Sequence, residues 1–321
     1  MTTLLVATTG GHLAQLVELA RRLPGIGPDR LWVTFDTPQS RSLLADEPVR
    51  FMPFIHERDV LGVARGTAIC RQLLRDYSID AVVSTGSAIA LAFLPWAALR
   101  GIPAHYIESS ARVGEPSLTG RLLARVPGIR LYRQYPHAAV GRWIFGGSVF
   151  DAFEPVPGLV AAAPIRRLVV TLGSVEQSFR RLLDHLVPLL PENAEVLWQT
   201  GHTPTAGLPI TATPFLSAAE LAAAMAAADV VVAHAGCGSA LTALNAGKLP
   251  ILVPRDAARG ELVDGHQIEL ARWLAGRNLA LHRTPERLTR RDLEYAAACR
   301  IERTATPPPF ALAPGAQPRA A

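Results

Sequence analysis

The stretch Ala233-His-Ala-Gly-Cys-Gly-Ser-Ala-Leu-Thr-Ala-Leu-Asn-Ala-Gly247 indicates the class of fold, because it combines a strand end, a glycine turn and a helix. The apolar run from Val230 to Ala233 is typical of a strand buried in a parallel sheet. Gly236 and Gly238 break this strand, and Ser239 is predicted to open an Ala/Leu-rich helix that ends at Gly247. Backbone N–H groups at such a helix start can hold a phosphate. An ordinary strand–turn–helix unit of an α/β protein has the same pattern, so both interpretations stay open.

Length and composition indicate two domains with substantial cores. The chain has 321 residues, of which 49% are hydrophobic and 18% are charged. No uncharged apolar run reaches the roughly 18 residues of a membrane-spanning helix. The first residues lead directly into a strand pattern, without the basic segment and cleavage site of a signal peptide. We therefore expect a cytoplasmic protein.

The basic residues are almost all arginine. The formal net charge is +5, and Lys248 is the single lysine. Arginine can contact phosphate groups, but this excess is modest and no basic stripe is interleaved with aromatic residues, so we expect no nucleic-acid partner. The cysteines Cys70, Cys237 and Cys299 are scattered without a Cys-x-x-Cys spacing, and we expect them to be reduced. No Asp-x-Asp motif appears, so no metal site is predicted.

The first half alternates strands with helices. Strands are predicted at 4–8, 31–35, 49–55, 81–83 and 104–107, and helices at 13–23, 60–77 and 88–99. This alternation argues for a parallel sheet flanked by helices. In such sheets ligands bind beyond the carboxyl ends of the strands. Residues 10–12, Asp36, residues 84–87 and Glu108 are predicted to lie there.

The second half repeats the pattern after a Pro/Ala/Gly-rich segment. Strands are predicted at 168–172, 195–199, 210–215 and 249–253, and helices at 175–190, 218–227 and 266–274. We therefore predict an α/β protein with two doubly wound Rossmann-like domains facing a cleft. Its parts are a first domain over 1–152, a linker over 153–165, a second domain over 166–303 and a disordered tail over 304–321. Nucleotide-sugar transferases, sugar-nucleotide epimerases and some phosphorylases share this architecture.

Motifs in the second half resemble the C-terminal domain of family 28 glycosyltransferases of the GT-B fold. They are residues 228–247, Pro254-Arg255, the run Gly260-Glu-Leu-Val-Asp-Gly-His-Gln267, and Glu269-Leu270. Their order along the chain makes the resemblance more specific than any one of them.

Motifs in the first half resemble the acceptor-binding chain of the two-chain N-acetylglucosaminyltransferase of lipid-linked oligosaccharide synthesis. They are Ser84-Thr-Gly86, the run Tyr106-Ile-Glu-Ser-Ser-Ala-Arg-Val113, and Pro116-Ser-Leu-Thr-Gly120. The loop Thr9-Gly-Gly-His12 is similar to the glycine loop of the peptidoglycan N-acetylglucosaminyltransferase. The whole chain resembles a fusion of two halves that bacterial exopolysaccharide glycosyltransferases often carry as separate chains.

The resemblance implies an inverting, metal-independent hexosyltransferase. It would move a GlcNAc-type or glucuronate unit from a UDP-sugar to a polyprenyl-diphosphate-linked sugar in cell-surface polysaccharide synthesis. It would be peripherally associated with the cytosolic face of the membrane. The UDP-sugar is a substrate, so no cofactor is implied. Two alternatives are a UDP-sugar 2-epimerase of the same fold and a catalytically weak donor-binding subunit that recruits a partner.

Donor binding without a metal requires N–H groups and a helix start to stabilise the leaving diphosphate. The residues expected to bind the donor are Ser174, His234, Gly236, Gly238, Ser239, Thr242, Arg255, His266 and Gln267. Four of these residues also have a purely structural interpretation. Ser239 and Gln267 could be helix caps, His266 a packing residue and Arg255 a solvated loop residue. Thr242 stands where the family usually carries a Glu that binds the ribose hydroxyls.

The acceptor hydroxyl requires a general base, and His12 and Glu108 are the catalytic candidates. His12 is preferred because an imidazole titrates near neutral pH. Alternatively, His12 caps the helix at 13–23, and Glu108 orients the acceptor or pairs with Arg112.

Residues near these candidates are expected to bind the acceptor and its lipid. The acceptor-binding set is Gly10, Gly11, Ser84, Thr85, Gly86, Ser109 and Arg112. A basic and apolar cluster follows: Arg112, Arg121, Arg125, Arg130 and Arg133, with Leu118, Leu122, Leu123 and Val126 between them. Such a patch suits an anionic membrane surface, although a solvated helix face over an ordinary core has the same pattern.

Overall fold

Two compact units make up the protein. The computed structural model describes residues 2–24, 29–56, 59–158 and 164–312. The first unit runs to Val149 and also includes the segment that starts at Pro308, and the second unit is Phe150–Pro307. Residues 159–163 of the predicted linker and 313–321 of the predicted tail lie outside the described residues.

The first unit contains a seven-stranded sheet in which every described pairing is parallel. Its strands are β1 Thr2–Ala7, β2 Arg30–Phe35, β3 Val49–Met52, β4 Ile79–Gly86, β5 Ala104–Ile107, β6 Ile129–Arg133 and β7 Trp143–Phe145. Their order is β3-β2-β1-β4-β5-β6-β7. The predicted parallel sheet is confirmed, and β6 and β7 extend it beyond the predicted strands.

Helices connect these strands: α1 Gly11–Ala20, α2 Pro38–Leu43, α3 Val60–Asp76, α4 Ala88–Leu99 and α5 Leu118–Leu123. Residues at their starts explain where several begin, because Asp59 and Ser117 accept hydrogen bonds from the first-turn amides of α3 and α5. The α4 helix is apolar on nearly all sides, and Ile89, Phe93 and Leu94 are fully buried in the core. Among the described residues, no helix has the length and apolarity that spanning a bilayer requires.

The second unit contains a six-stranded parallel sheet and a separate two-stranded antiparallel pair. Its strands are β8 Phe153–Pro155, β9 Arg167–Thr171, β10 Glu195–Gln199, β11 Ala212–Thr213, β12 Val230–His234, β13 Ile251–Val253, β14 Leu281–His282 and β15 Ile301–Arg303. Its helices are α6 Arg180–Leu186, α7 Ala218–Ala227, α8 Cys237–Asn245, α9 His266–Gly276 and α10 Arg290–Ala298. The large sheet has the order β11-β10-β9-β12-β13-β14, and β8 pairs with β15.

Each large sheet has one point at which its strand order reverses, and this point indicates where a ligand site would lie. In the first unit the chain moves outward from β1 to β3 and then returns to β4 on the other side of β1. In the second unit the same reversal separates β9 from β12. Helices leave neighbouring strands in opposite directions at such a switch point, so a crevice opens beyond the carboxyl ends of the strands.

Three predicted helix starts differ from the structure, and the first is α1, which begins at Gly11 rather than at residue 13. The α8 helix begins at Cys237 with Gly236 as its N-cap, two residues before the predicted start at Ser239. The α6 helix begins at Arg180 rather than 175, so residues 172–179 form an irregular β9–α6 loop. The sequence does not predict several short elements, which are β6, β7, β8, β14, β15 and α10. For the strands the reason is that two to five residues carry little periodic signal.

The end of the described chain is ordered against the first unit, so predicted disorder from residue 304 is wrong for residues 304–312. Phe310 is fully buried, and its ring lies 5.9 Å from the Tyr132 ring. Arg22 donates to Pro308 O at 2.9 and 2.7 Å and accepts from the Phe310 amide at 2.8 Å. The predicted linker also begins with β8, which belongs to the second unit.

We predict that Phe310→Ala destabilises the first unit by about 3 kcal/mol, because it leaves a cavity in a closed site. Phe145→Ala is the matched control, because Phe145 is 41% exposed. It should lower the free energy of unfolding by less than half as much. Calorimetric unfolding measures both. Equal losses for the two variants would contradict the packing seen here.

Candidate active site

The switch point of the second unit is built around His234. A Cβ atom placed on Gly173 would lie 2.4 Å from His234 Cε1, and one on Gly236 would lie 2.2 Å from His234 Nε2. Both glycines are therefore required by the imidazole that fills the space between their loops. This packing constraint was not part of the sequence prediction, which assigned Gly236 to phosphate contact.

The His234 imidazole is neutral at neutral pH. The residue is 7% exposed, and its Nδ1 lies 3.4 Å from Thr171 O. Burial, followed by the positive charge of Arg255, lowers the pKa of His234 to about 4. His234 therefore supplies no positive charge for a phosphate.

The start of α8 is suited to an anion. Gly236 forms no side-chain cap, and the helical ladder begins with the Ala240 amide, which donates to Gly236 O at 3.0 Å. The amides of Gly238 and Ser239 also precede that bond, in the first turn, where backbone N–H groups have no acceptor within the helix ladder. Ser239 itself is buried in the third helical position, so it is not the N-cap. Backbone donors, rather than the Ser239 hydroxyl, point to phosphate binding here.

Thr242 lies one turn further along α8. Its hydroxyl donates to Gly238 O at 2.9 Å, so its single proton is engaged within the helix. Toward a ligand Thr242 can only accept a hydrogen bond, with a weaker acceptor than the carboxylate usual in the family.

Arg255 is placed differently from the prediction. Its residue is 1% exposed, and its guanidinium donates to Leu172 O at 2.9 Å and Gln177 O at 2.6 Å. It is therefore neither solvated nor presented to a ligand. Burial lowers its pKa to about 10, so the group stays charged at neutral pH.

His266 and Gln267 begin α9, and both have partners within the protein. His266 Nδ1 and its backbone amide both contact Asp264 Oδ1. Gln267 is buried and accepts from the Arg255 amide at 3.0 Å, so it supports the loop before α9. Ser174 is exposed on the β9–α6 loop, beside the switch point.

The switch point of the first unit brings His12 together with the end of β4. His12 Nδ1 lies 2.6 Å from Thr85 O, and Thr85 Oγ1 donates to His12 O at 2.8 Å. A carbonyl partner requires the proton on Nδ1, so Nε2 is the basic nitrogen of the neutral ring. Gly86 has a φ of 99°, and a Cβ there would lie 3.3 Å from the His12 ring.

The other loop residues at this point hold the two strand ends together. Gly10 is the N-cap of α1, so His12 lies inside the first turn and is not the cap. The buried Ser84 accepts from the Gly86 amide at 3.1 Å. Gly11 O accepts from Gln15 at 3.1 Å, which links this loop to Ser109.

Glu108 is fully buried, and its carboxylate accepts four hydrogen bonds. Its Oε1 accepts from Tyr106 at 3.0 Å and from the Ser109 amide at 3.1 Å. Its Oε2 accepts from the amide and hydroxyl of Ser117 at 2.9 and 3.0 Å. Burial and the neighbouring carboxylate raise the pKa of Tyr106 well above its usual value, so this phenol remains a donor. Such a carboxylate organises the loop from β5 to α5 rather than meeting a substrate.

Buried glutamines complete this network and were missed by sequence reasoning. Gln15 donates to Ser109 Oγ at 3.1 Å and accepts from the Ser110 amide at 2.7 Å. Gln134 donates to Glu108 O at 3.0 Å and accepts from the Val149 amide at 2.8 Å. For Gln15 the signal that could have found it is a polar residue among the apolar positions of α1, next to Leu16 and near Leu19.

The predicted basic and apolar cluster is only partly at the surface. Arg121 on α5 and Arg125 just after this helix are exposed, as are Leu118 and Leu122, whereas Leu123 packs in the core. Arg133 is buried and donates to the carbonyls of residues 112, 113 and 114 at 3.0, 3.3 and 2.6 Å. It therefore holds the loop containing Arg112 and does not contribute to a surface patch. Within the described ranges, no three His, Cys, Asp or Glu side chains form a group suited to a metal.

Residues 167–297 match the glycosyltransferase family 28 C-terminal domain. The match contains β9, β12, the start of α8 and the beginning of α9, which are the elements of the second switch point. This part of the chain is therefore similar to the C-terminal domain of glycosyltransferase family 28.

Relatives and solved structures agree with this family. A UDP-N-acetylglucosamine--N-acetylmuramyl-(pentapeptide) pyrophosphoryl-undecaprenol N-acetylglucosamine transferase of Verminephrobacter eiseniae is 29% identical over 225 residues, 64% of this chain and 60% of the relative. The chain thus spans about three fifths of the length of the curated relatives it matches first.

The crystal structure of Acinetobacter baumannii MurG aligns with a TM-score of 0.56 at 21% identity, over 92% of this chain and 89% of MurG. SsfS6 of Streptomyces sp. SF2575, complexed with thymidine diphosphate, aligns with a TM-score of 0.52 at 22% identity, over 88% and 87% of the two chains. These likenesses show a fold similar to that of GT-B glycosyltransferases such as MurG.

We predict that the buried histidines make stability depend on pH. The folded-state pKa of His234 is about 4 against an ordinary value of 6.5. Between these values the unfolded chain binds a proton that the folded chain does not, so stability falls as pH falls from 6.5 toward 4, by about 1.4 kcal/mol per pH unit. Burial and Arg130 lower the pKa of His105 to about 4 as well, so the first unit contributes a similar slope.

His234→Gln should make this slope smaller, since a glutamine amide does not titrate in that range, while His105 and His282, whose pKa values are also lowered by burial, keep their contributions. Denaturant unfolding at several pH values between 4 and 7 measures it. His137→Gln, at an exposed histidine of the first unit, is the control and should leave the slope unchanged. An unaltered slope in His234→Gln would mean that His234 is protonated in the folded protein.

We predict that Glu108→Gln lowers the stability of the first unit by about 2 kcal/mol, because an amide NH₂ would face donors that now meet a carboxylate oxygen. Thermal unfolding measures the loss. A general base would behave differently: its replacement would abolish turnover while the unfolding temperature stayed at the wild-type value.

Proposed function

We propose that this protein is an inverting glycosyltransferase that moves a hexose unit from a UDP-sugar to a polyprenyl-diphosphate-linked sugar. The observation that carries the proposal is the uncapped start of α8 at the switch point of a family 28 domain. A helix start of this kind binds a diphosphate, which is the leaving group of the donor.

In the second unit, the amides of Gly238 and Ser239 would stabilise the charge that develops on the diphosphate as its bond to the anomeric carbon breaks. Ser174 on the β9–α6 loop is positioned to add a hydroxyl donor. His266 at the start of α9 would contact the donor sugar or diphosphate. The neutral His234 shapes the floor of this site.

In the first unit, His12 would act as the general base. With its proton held on Nδ1 by Thr85 O, Nε2 can accept the proton of the acceptor hydroxyl as that oxygen attacks the anomeric carbon. Gly10 would leave space beside the loop for an acceptor sugar, since a Cβ there would meet nothing within 4 Å, and Gly11 and Gly86 lie next to it in the proposed acceptor site. Ser109 and Arg112 lie in the loop that Glu108 and Arg133 support.

The names of the relatives favour N-acetylglucosamine as the transferred sugar over glucuronate. They also favour a pyrophosphoryl-undecaprenol acceptor. They do not support exopolysaccharide synthesis as the pathway, because the relatives named here act on N-acetylmuramyl-(pentapeptide) pyrophosphoryl-undecaprenol.

Contact with the cytosolic membrane surface is part of the proposal. Leu118 on α5 is 54% exposed, and Arg121 and Arg125 lie beside it. Leucine side chains can enter the interface while the guanidinium groups contact anionic headgroups. This arrangement would bring the protein to a lipid-linked acceptor without a spanning helix.

The test is a transfer assay with purified protein, bacterial membranes and radiolabelled UDP-GlcNAc, UDP-glucose or UDP-glucuronate. The expected result is a labelled product that partitions into chloroform. Labelled free sugar nucleotide converted without any acceptor would instead identify a 2-epimerase. Failure of all three donors to label lipid, with UDP binding retained in calorimetry, would favour a donor-binding subunit.

We predict that His12→Ala lowers turnover by about 10²- to 10⁴-fold, the usual contribution of a positioned general base. The affinity for UDP should stay at the wild-type value, because the nucleotide is assigned to the second unit. Turnover and calorimetric UDP binding measure the two effects, and His137→Ala is the matched control. An unchanged rate would remove His12 from the mechanism.

A further inference from the structure

We propose that Arg255 is a positioning residue of the donor site, whose buried guanidinium ties the β9–α6 loop to the loop before α9. This inference rests on the proposed function for its catalytic consequence, but its structural content does not depend on it. The resemblance to the family suggested that Arg255 contacts the donor directly. Its contacts indicate instead that it holds two loops together.

The first set of contacts fixes the β9–α6 loop. Two carbonyls near the ends of this loop, Leu172 O and Gln177 O, lie 2.9 and 2.6 Å from the guanidinium nitrogens of Arg255. Both carbonyls lie outside the strand ladder and the helix that flank the loop. Without Arg255 they would need other donors in a region from which water is largely excluded.

The second set of contacts fixes the loop between β13 and α9. The Arg255 amide donates to Gln267 Oε1 at 3.0 Å, and its guanidinium lies 3.4 Å from Glu261 O. The Glu261 side chain accepts from the Asp256 amide at 2.8 Å and pairs with Arg181 at 2.8 Å. The loop before α9 is thereby joined to α6 through Arg181.

The planar guanidinium is required for this bridging. Its carbon lies 5.0 Å from the centre of the Phe179 ring, a cation–π distance. One guanidinium nitrogen reaches Leu172 O while another reaches Gln177 O. A lysine ammonium keeps the charge but places its three donors on one nitrogen, so it does not span two separate carbonyls.

Movement of the β9–α6 loop would be transmitted directly to the phosphate site. Gly173 in this loop packs against the His234 ring, and Gly201 packs against Gly173 O, since a Cβ on Gly201 would lie 2.3 Å from that oxygen. His234 in turn abuts Gly236, the N-cap of α8. Loosening the loop would therefore disturb the backbone donors of α8, although Arg255 itself touches no ligand.

The experiment compares Arg255→Lys with Arg133→Lys in the full chain. Arg133 is the matched control because it is a buried arginine of the first unit that donates to backbone carbonyls beside an aromatic ring. Hydrogen exchange of peptides covering 172–179 and calorimetric binding of UDP are the two readouts. Arg255→Lys should speed exchange in 172–179 and weaken UDP binding, each about tenfold. Exchange in β10 should stay at the wild-type rate.

Arg133→Lys should leave both readouts unchanged while lowering the unfolding temperature by a similar amount. A merely structural role for Arg255 would lower the unfolding temperature of its variant with no change in UDP affinity, and that result overturns the inference. Unchanged exchange in 172–179 also overturns it.

The two proposals fail in different ways. Absence of UDP binding in the wild-type protein contradicts the proposed function, whereas the exchange readout still tests the positioning of the loop. If Arg255→Lys does not fold, Phe179→Leu removes the ring from the guanidinium face and keeps an apolar side chain there. It should shift both readouts in the same direction by a smaller factor, and no shift in either would refute the proposal.

Discussion

Buried arginines that donate to backbone carbonyls are the interaction on which the loops of both units depend. Arg255 holds the β9–α6 loop, Arg133 holds the loop after β5, and Arg22 holds the last described segment through Pro308 O and Ser148 O. Loops beyond strand ends carry carbonyls that neither sheet nor helix satisfies. One guanidinium has five N–H donors and can satisfy several of these carbonyls at once.

This use of arginine changes how the charge of the chain is understood. The excess of basic residues suggested phosphate or membrane contact, yet the guanidinium groups of Arg133 and Arg255 are among the most buried side chains of the protein. Each also lies over an aromatic ring, Trp143 or Phe179. The groups that remain for anionic partners are backbone amides at helix starts and a few exposed arginines such as Arg121 and Arg125.

Much of the fold could be predicted because buried parallel strands are continuous apolar runs and their turns contain glycine. The strand and turn predicted for Val230–Ala233 and the glycines after it correspond to β12 and the start of α8, and His12 lies beyond a strand end as predicted, in contact with Thr85. The roles of Glu108, Arg255 and Gln267 could not be predicted. Their partners, such as Ser117 and Leu172, come together only through tertiary packing, and neither period nor spacing along the chain reports on burial.

The contact of His234 with two glycine loops has a consequence for how this site can change over generations. Positions 173, 234 and 236 share one small volume, so a side chain fits at Gly236 only if the group at 234 is smaller than an imidazole, and at Gly173 the φ of 73° opposes a side chain as well. A single Gly173→Ala substitution would place a methyl group against the His234 ring, which contacts Gly236 on its other side. We therefore expect substitutions at these three positions to occur together rather than singly. Sequence change at the switch point of the second unit is thereby restricted to paired substitutions.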